Sequence, residues 1–527
     1  MIRINKNIIR PLYALLLLAA LFSACSGEDI TDSSTQAVRT DSIYIKLEMT
    51  SPTNTTRANP TGGESGDGTE GGVNKENDIK EVALFFYQAD AGINSTEDPT
   101  LTPITTSSVS MSKSDKLHTA KFSVPSSTLQ FDTPYHLIVV ANPTEDVSAI
   151  TTLKGLKEAV LTKPWTSDAD INNYDNFVMS SRFLSADATD DDIKGEKGYK
   201  DITYTLTRSN TQNNPLTIES NIERLAARID IVPVTETNNA KWNDINNGYE
   251  FPVTGAPEDK LIVTNVMPVN CMTKGTFLMK RLAAANATND NKIDYTTISW
   301  VGKEQPDNNV QTNYVVDPYT EDKNGADLST YYSNVYSPSL SVTSDPIQQT
   351  TKPDDHYILA YTMENTMDKN CQLPKYATGI VVKGIYVPKK WYTVDGDKLK
   401  EEVVTTTGAT FYTFSGHVFA STAAIRQYIQ DTEGKTVDVT DSYAGVSTYT
   451  GGVCYYVYWL RHSNDNDPTV KGIMEYGVVR NNIYRLALNT FFGIGDPIPG
   501  SDTDVEKMNC NVYVVPWAVY THSEIVM

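Results

Sequence analysis

Ile43, Ile45, Leu47 and Met49 alternate with Tyr44, Lys46 and Glu48 in the stretch DSIYIKLEM. A period of two with one apolar side predicts a strand that buries one face. The residues that follow, TSPTNTTRANPTGGESGDGTEGG, carry almost no apolar side chains. Such a stretch cannot bury enough surface to order itself. Arg57 is the only basic residue between Lys46 and Lys75. A trypsin-like protease needs an Arg or Lys on a flexible loop, and a cut here would free the strand from everything after it. The plain alternative is a solvated linker whose single Arg has no role.

Further strands follow. KEVALFFYQ (Val82, Leu84, Phe86), LHTAKFSVP (Leu117 to Pro125) and ITYTLTRS (Ile202 to Ser209) read as strands, and TPYHLIVVANP is apolar on both faces and therefore central. Leu153, Leu156 and Val160 recur at helical spacing, with Pro164 as the stop. In NIERLAARIDIVPV, Leu225, Ala227, Ile229 and Ile231 alternate with polar and charged residues. A domain boundary is placed before it, at residues 212 to 222, where Asn213-Asn214-Pro215 breaks the pattern. The strongest later strands are LIVTNVMPVN, DHYILAYTMEN, ATGIVVKGIYVP and CYYVYWLRHS, with a short helix expected over Thr422 to Gln430. The chain closes on NCNVYVVPWAVYTHSEIVM, a strand interrupted by Pro516. Proline donates no N–H and is confined to strand edges, starts and bulges, which argues against a place in the middle of its own sheet. Many strands, few short helices and frequent turn signals predict an all-β fold of sandwiches.

The first residues are a targeting segment. Arg3, Lys6 and Arg10 precede an apolar run, Leu12 to Phe22, that is too short to span a bilayer. It ends in Leu21-Phe22-Ser23-Ala24-Cys25, which resembles a lipobox, and so Cys25 is the expected site of lipidation. The formal charge of −21 becomes −24 when those three cations leave with the leader. Such a balance argues against nucleic acid and anionic membrane as partners. Four cysteines remain, Cys271, Cys371, Cys454 and Cys510. Their scattered positions form neither a zinc site nor a dense disulfide framework, and pairing among them stays open. No HExxH, GxSxG or phosphate loop is present, and the six histidines are scattered. The acidic runs Asp187 to Gly195 and Asn464 to Asp467 lack the spacing of a calcium loop. No enzyme activity, metal or cofactor is expected.

Four features together resemble the fimbrillins of Bacteroidales, nearest to the shaft subunit of the minor (short) fimbria of the type V pilus class. They are the lipobox, the alternating strand followed by Arg57-Ala58, the run CYYVYWL…VVRNNIYRL, and the terminal VYVVPWAVYTHSEIVM. The resemblance implies two transthyretin-like β-sandwich domains in an outer-membrane lipoprotein precursor. Its implied order is a signal peptide over residues 1–24, a propeptide over 25–57, one domain over 58–220, and a second over 221–527. An Arg-specific protease then cuts between Arg57 and Ala58, and the strand bearing Ile43, Ile45, Leu47 and Met49 leaves. The groove is filled by the C-terminal strand of another copy, residues 509–527, with Tyr513, Val515, Trp517 and Val519 as the inserted set. As a donor, that strand would be dispensable for the fold of its own subunit. The implied partners are other copies of the chain and accessory fimbrial subunits, and the implied place is an adhesive fimbria on the cell surface. The rival reading is a surface glycan-binding lipoprotein, which would need Tyr455, Tyr456, Tyr458 and Trp459 as an exposed aromatic platform.

Overall fold

Ser42–Thr50 forms the first strand, and its alternation is matched by burial. Ile43, Ile45, Leu47 and Met49 are at most 1% exposed, while Tyr44, Lys46 and Glu48 are half-buried. The computed structural model describes residues 42–50, 64–65, 70–72, 74–90, 97–111, 117–143, 147–163, 165–167, 174–182, 203–232, 240–282, 298–300, 314–317, 327–343, 346–349, 356–367, 373–462, 475–500 and 507–521. These fall in one unit, Ser42–Met527. Cys25, Arg57, Ala58, Cys371 and both acidic runs lie outside the described residues.

The fold is all-β. Among the described residues there are two α-helices, Leu153–Glu158 and Thr422–Glu433. The first large sheet runs in the order Thr102–Thr106, Val82–Gln88, Pro134–Ala141, Met179–Arg182, Leu216–Arg224, Ser42–Thr50, His118–Pro125, Val109–Met111. Its far strands meet, Thr102–Thr106 against His118–Pro125, so the sheet curls over its own core. Ile45, Leu47, Leu84, Phe86, Phe122, Ile138 and Ile218 lie in that core.

The second large sheet runs Glu64–Ser65, Met508–Thr521, Asn482–Phe492, Gly248–Thr254, Lys260–Val269, Gly379–Val387, Val453–Trp459. Ala227–Val232 lies parallel to Asn482–Phe492 and antiparallel to Tyr357–Thr362. The strand Leu216–Arg224 runs through residues 220 and 221, and the two large sheets part after it, at Leu225-Ala226.

Three local expectations change. Val82 to Tyr87 are all buried rather than alternating, because the strand is flanked on both edges and covered on both faces. Val160 leaves the helix, which ends at Glu158, and stands 40% exposed in a three-residue strand, Val160–Thr162. Among the described residues of ITYTLTRS, Tyr204–Thr205 pairs as strand.

A smaller unit interrupts the second sheet between Gly379–Val387 and Val453–Trp459. Lys398–Val403, Lys390–Asp395, His417–Phe419, Phe411–Phe414 and Ser447–Tyr449 make a five-stranded sheet with the helix Thr422–Glu433 against it. Ser421 caps that helix by accepting from the Ala424 N–H, and Gly434 ends it in the left-handed region at φ 68°. It extends three residues past the expected Gln430. Phe419, Ala424, Ile425, Ile429 and Val439 form its separate core.

Candidate functional site

The first strand sits between two complete neighbours. It runs parallel to Leu216–Arg224, with Ile45 opposite Leu216 and Thr50 opposite Asn221. On its other edge it runs antiparallel to His118–Pro125, from Ser42 opposite Pro125 to Met49 opposite His118. The Tyr44 N–H also donates to the Asn210 carbonyl at 3.0 Å. Taking the strand out would leave a groove, with apolar walls and two rows of unpaired backbone groups.

His118 stands at the Met49 end of this groove. It is 1% exposed, and its Nε2 meets no hydrogen-bonding partner among the described residues. Burial, helped by the Arg224 charge, pulls its pKa down to about 4, so the ring is neutral at pH 7.

The C-terminal strand Met508–Thr521 is seated differently. On one edge it pairs antiparallel with Asn482–Phe492, from Phe491 opposite Met508 to Asn482 opposite Pro516. On the other edge, among the described residues, lie the short pieces Glu64–Ser65 and Glu70–Gly72. Proline therefore falls where the main ladder ends, in keeping with its missing donor.

The strand's two faces belong to two cores. Val515 is buried and Tyr513 half-buried in the cluster that holds the first strand's side chains. Met508, Cys510 and Val514 are buried in the second sheet's cluster, with Val512 against it. The side chains of Trp517 and Val519 lie outside the described residues. Met508, Cys510, Val514 and Val515 are thus core in this state of the chain, so a deletion from residue 509 onward removes buried side chains that the donor reading counts as dispensable.

The run VVRNNIYRL ties the two sheets where they part. Arg480 is fully buried and donates to the Phe277 carbonyl at 3.0 Å, the Thr276 carbonyl at 2.9 Å and Glu364 Oε2 at 2.8 Å. Asn481 has φ 57°, a left-handed conformation that asparagine tolerates better than most residues. Its backbone N–H donates to the Ala226 carbonyl at 2.8 Å, and its Oδ1 accepts from the Arg224 N–H at 3.1 Å. Asn482 Nδ2 donates to the Arg480 carbonyl at 2.9 Å. The polar residues of this motif are therefore structural ties across the seam.

Tyr456, Tyr458 and Trp459 are 2%, 4% and 5% exposed, and Tyr455 is half-buried, so this aromatic run is core. Cys271, Cys454 and Cys510 are free buried thiols. Burial pushes the Cys271 and Cys454 thiols up to about 12, which leaves them protonated and inert.

An all-β sandwich protein with a strand from each end of its chain built into a large sheet is the class that this arrangement defines. Residues 447–523, which contain VVRNNIYRL and most of the C-terminal strand, match the family model described as "Major fimbrial subunit protein type IV, Fimbrillin, C-terminal". Through this region the chain is similar to the fimbrillin family. Among solved structures, a fimbrilin (FimA) from Porphyromonas gingivalis W83 is 11% identical, covering 91% of this chain and 99% of that chain at a TM-score of 0.39. The tip fimbrial protein Mfa3 from Porphyromonas gingivalis, with C-terminal truncation, is 10% identical, covering 90% and 100% at a TM-score of 0.34. A fimbrial assembly protein from Parabacteroides distasonis is 9% identical, covering 85% and 92% at a TM-score of 0.30. No curated protein sequence matches the chain.

Proposed function

We propose that this chain is the polymerising shaft subunit of an adhesive fimbria on the bacterial surface. It is made as a precursor, lipidated at Cys25 and carried to the outer membrane. An Arg-specific protease cuts between Arg57 and Ala58, and the first strand leaves. The C-terminal strand of another copy enters the vacated groove, with Tyr513, Val515, Trp517 and Val519 directed inward. Accessory fimbrial subunits bind through the same exchange. Strand addition to an open sheet edge supplies main-chain bonds for affinity and pockets for specificity.

The observation that carries this reading is the seat of Ser42–Thr50. A strand with four buried side chains and a ladder on each edge, eight pairs on one and six on the other, leaves a long, preformed acceptor when it departs. It lies seven residues ahead of Arg57 in the sequence, counting from Thr50. The face with Tyr513 and Val515 already packs on the same core as the first strand, so those side chains suit that environment. The glycan-binding rival loses its platform, because Tyr456, Tyr458 and Trp459 are buried.

N-terminal sequencing of subunits from assembled filaments tests the reading. The chain should begin at Ala58, and Arg57→Ala should accumulate as unassembled precursor. Filament subunits that begin at Ser26, or at a lipid-bearing Cys25, would show that the first strand stays. Labelling with a palmitate analogue should tag the wild-type precursor and spare Cys25→Ala.

A further inference from the structure

The residues that separate the first strand from the rest of the sequence also cover the C-terminal strand. Glu64 and Ser65 lie parallel to it, opposite Tyr513 and Val514. Farther along, Glu70, Gly71 and Gly72 lie opposite Trp517, Ala518 and Thr521. They occupy the edge that the ladder to Asn482–Phe492 leaves open. An open edge is a template for another strand, and a covered edge is not.

The covering segment is anchored immediately afterwards by the turn Asn74–Asn77. Glu76 is 2% exposed, and its carboxylate accepts from Arg228 Nη1 at 3.0 Å and from the Tyr361 hydroxyl. Arg228 is also held by Asp230, in two bonds of 2.8 Å each. Arg224 Nε donates to the Glu76 carbonyl at 3.1 Å, and its Nη2 donates to Asn77 Oδ1. Asn77 Nδ2 in turn donates to the Gly72 carbonyl at 2.8 Å. A side chain at Gly72 has no room, since a Cβ there would fall 2.3 Å from Asn77 Oδ1 and 2.7 Å from Arg224 Nη2. A buried charge that loses its partner is costly, so this anchor has one well-defined arrangement.

We propose that Glu64–Asn77 is an intramolecular clasp that covers the free edge of the C-terminal strand and, through the Glu76 anchor, holds that strand on its own sheet. In the intact chain the clasp is tethered upstream to the buried first strand, which keeps its local concentration at the edge high. A cut between the two removes the tether and leaves the clasp free to lift. Loss of the first strand and release of the C-terminal strand thereby become linked events. The consequence for assembly rests on the fimbrial reading, whereas the clasp itself does not.

Hydrogen exchange on the intact chain tests it. With Glu76→Gln or Gly72→Ala, amides of Met508–Thr521 should exchange roughly tenfold faster or more, as loss of charge-assisted bonds implies. Amides of Ser42–Thr50 should keep their wild-type rates. A disulfide between Gly71→Cys and Ala518→Cys gives the opposite sign, slowing exchange at the end of the strand until reductant is added. Unchanged exchange at the C-terminal strand in both kinds of variant overturns the clasp. So does filament growth at the wild-type rate from cleaved, crosslinked protein. If exchange shifts as stated but cleaved wild-type protein never forms filaments, the clasp stands and the fimbrial reading falls.

Discussion

The two terminal strands have opposite seats. Ser42–Thr50 is central, with eight register pairs to His118–Pro125 on one edge and six to Leu216–Arg224 on the other. Met508–Thr521 has one long neighbour and, on its other edge, two short pieces. A central strand is held by both ladders and by its buried face, so it can leave only once its covalent connection is cut. A strand whose second edge is met by short pieces can peel from a single long neighbour once those pieces lift. Position in the sheet thus suits the first strand to vacate a groove and the C-terminal strand to travel.

The largest test is where the C-terminal strand stops being core. Deleting residues 509–527 removes Cys510, Val514 and Val515, whose burial at about 1.5–3 kcal/mol each amounts to roughly 4–9 kcal/mol. That deletion should lower stability by about that amount in denaturant unfolding, the cost that insertion into another copy's groove has to offset. Deleting only residues 516–527 should leave melting close to that of the full chain while abolishing filaments. Equal melting of the two truncations would erase the division of the strand at Val515.

The next test probes the groove. In an Arg57→Ala background, which removes the proposed cleavage site, Leu47→Ala should lower stability by about 2–5 kcal/mol in denaturant unfolding. Tyr513→Ala, at a half-buried edge position, should cost about 1.5 kcal/mol or less. If the two losses are equal, the contrast between central and edge seats is wrong. The fully buried Leu47 and half-buried Tyr513 are what separate them.

What could be read from the sequence was what depends on neighbours in sequence. Ile43, Ile45, Leu47 and Met49 revealed their shared face because strand side chains alternate. The helix Thr422–Glu433 was visible for the same local reason, and Gly434 explains where it stops. Arg228 and Asp230 misled, because charged residues alternating with Ile229 and Ile231 look like a solvent face. Both are fully buried and paired with each other, and Arg228 also donates to Glu76. Glu76 lies 152 residues from Arg228, so no window of sequence shows the pair. The ties from Arg480 to Thr276 and Phe277 span more than 200 residues and were equally invisible. The small five-stranded unit was also missed, since strands such as KLKEEV are mostly charged and its core rests on a few residues.

The smallest effect is also the most selective, since it asks whether the groove is filled. In the precursor His118 is buried beside Met49, and its pKa is depressed from 6.5 to about 4. The unfolded chain therefore takes up this proton first as the pH falls. Stability from this group is fully present above about pH 6.5, is lost between 6.5 and 4, and stops changing below 4. Between pH 6.5 and 5.5 the loss should be about 1 kcal/mol, following roughly 1.4 kcal/mol per pH unit at full slope. His118→Leu in the precursor should flatten that part of the profile. With the first strand gone and no occupant in its place, water reaches the ring, its pKa returns toward the ordinary value, and the same acid loss should shrink. Denaturant unfolding of intact and cleaved monomer at pH 7 and 5.5 measures both. If His118→Leu leaves the acid profile of the precursor unchanged, the ring is not buried against the first strand as described. If the profile of the cleaved monomer matches that of the intact chain, the first strand is not what shields it.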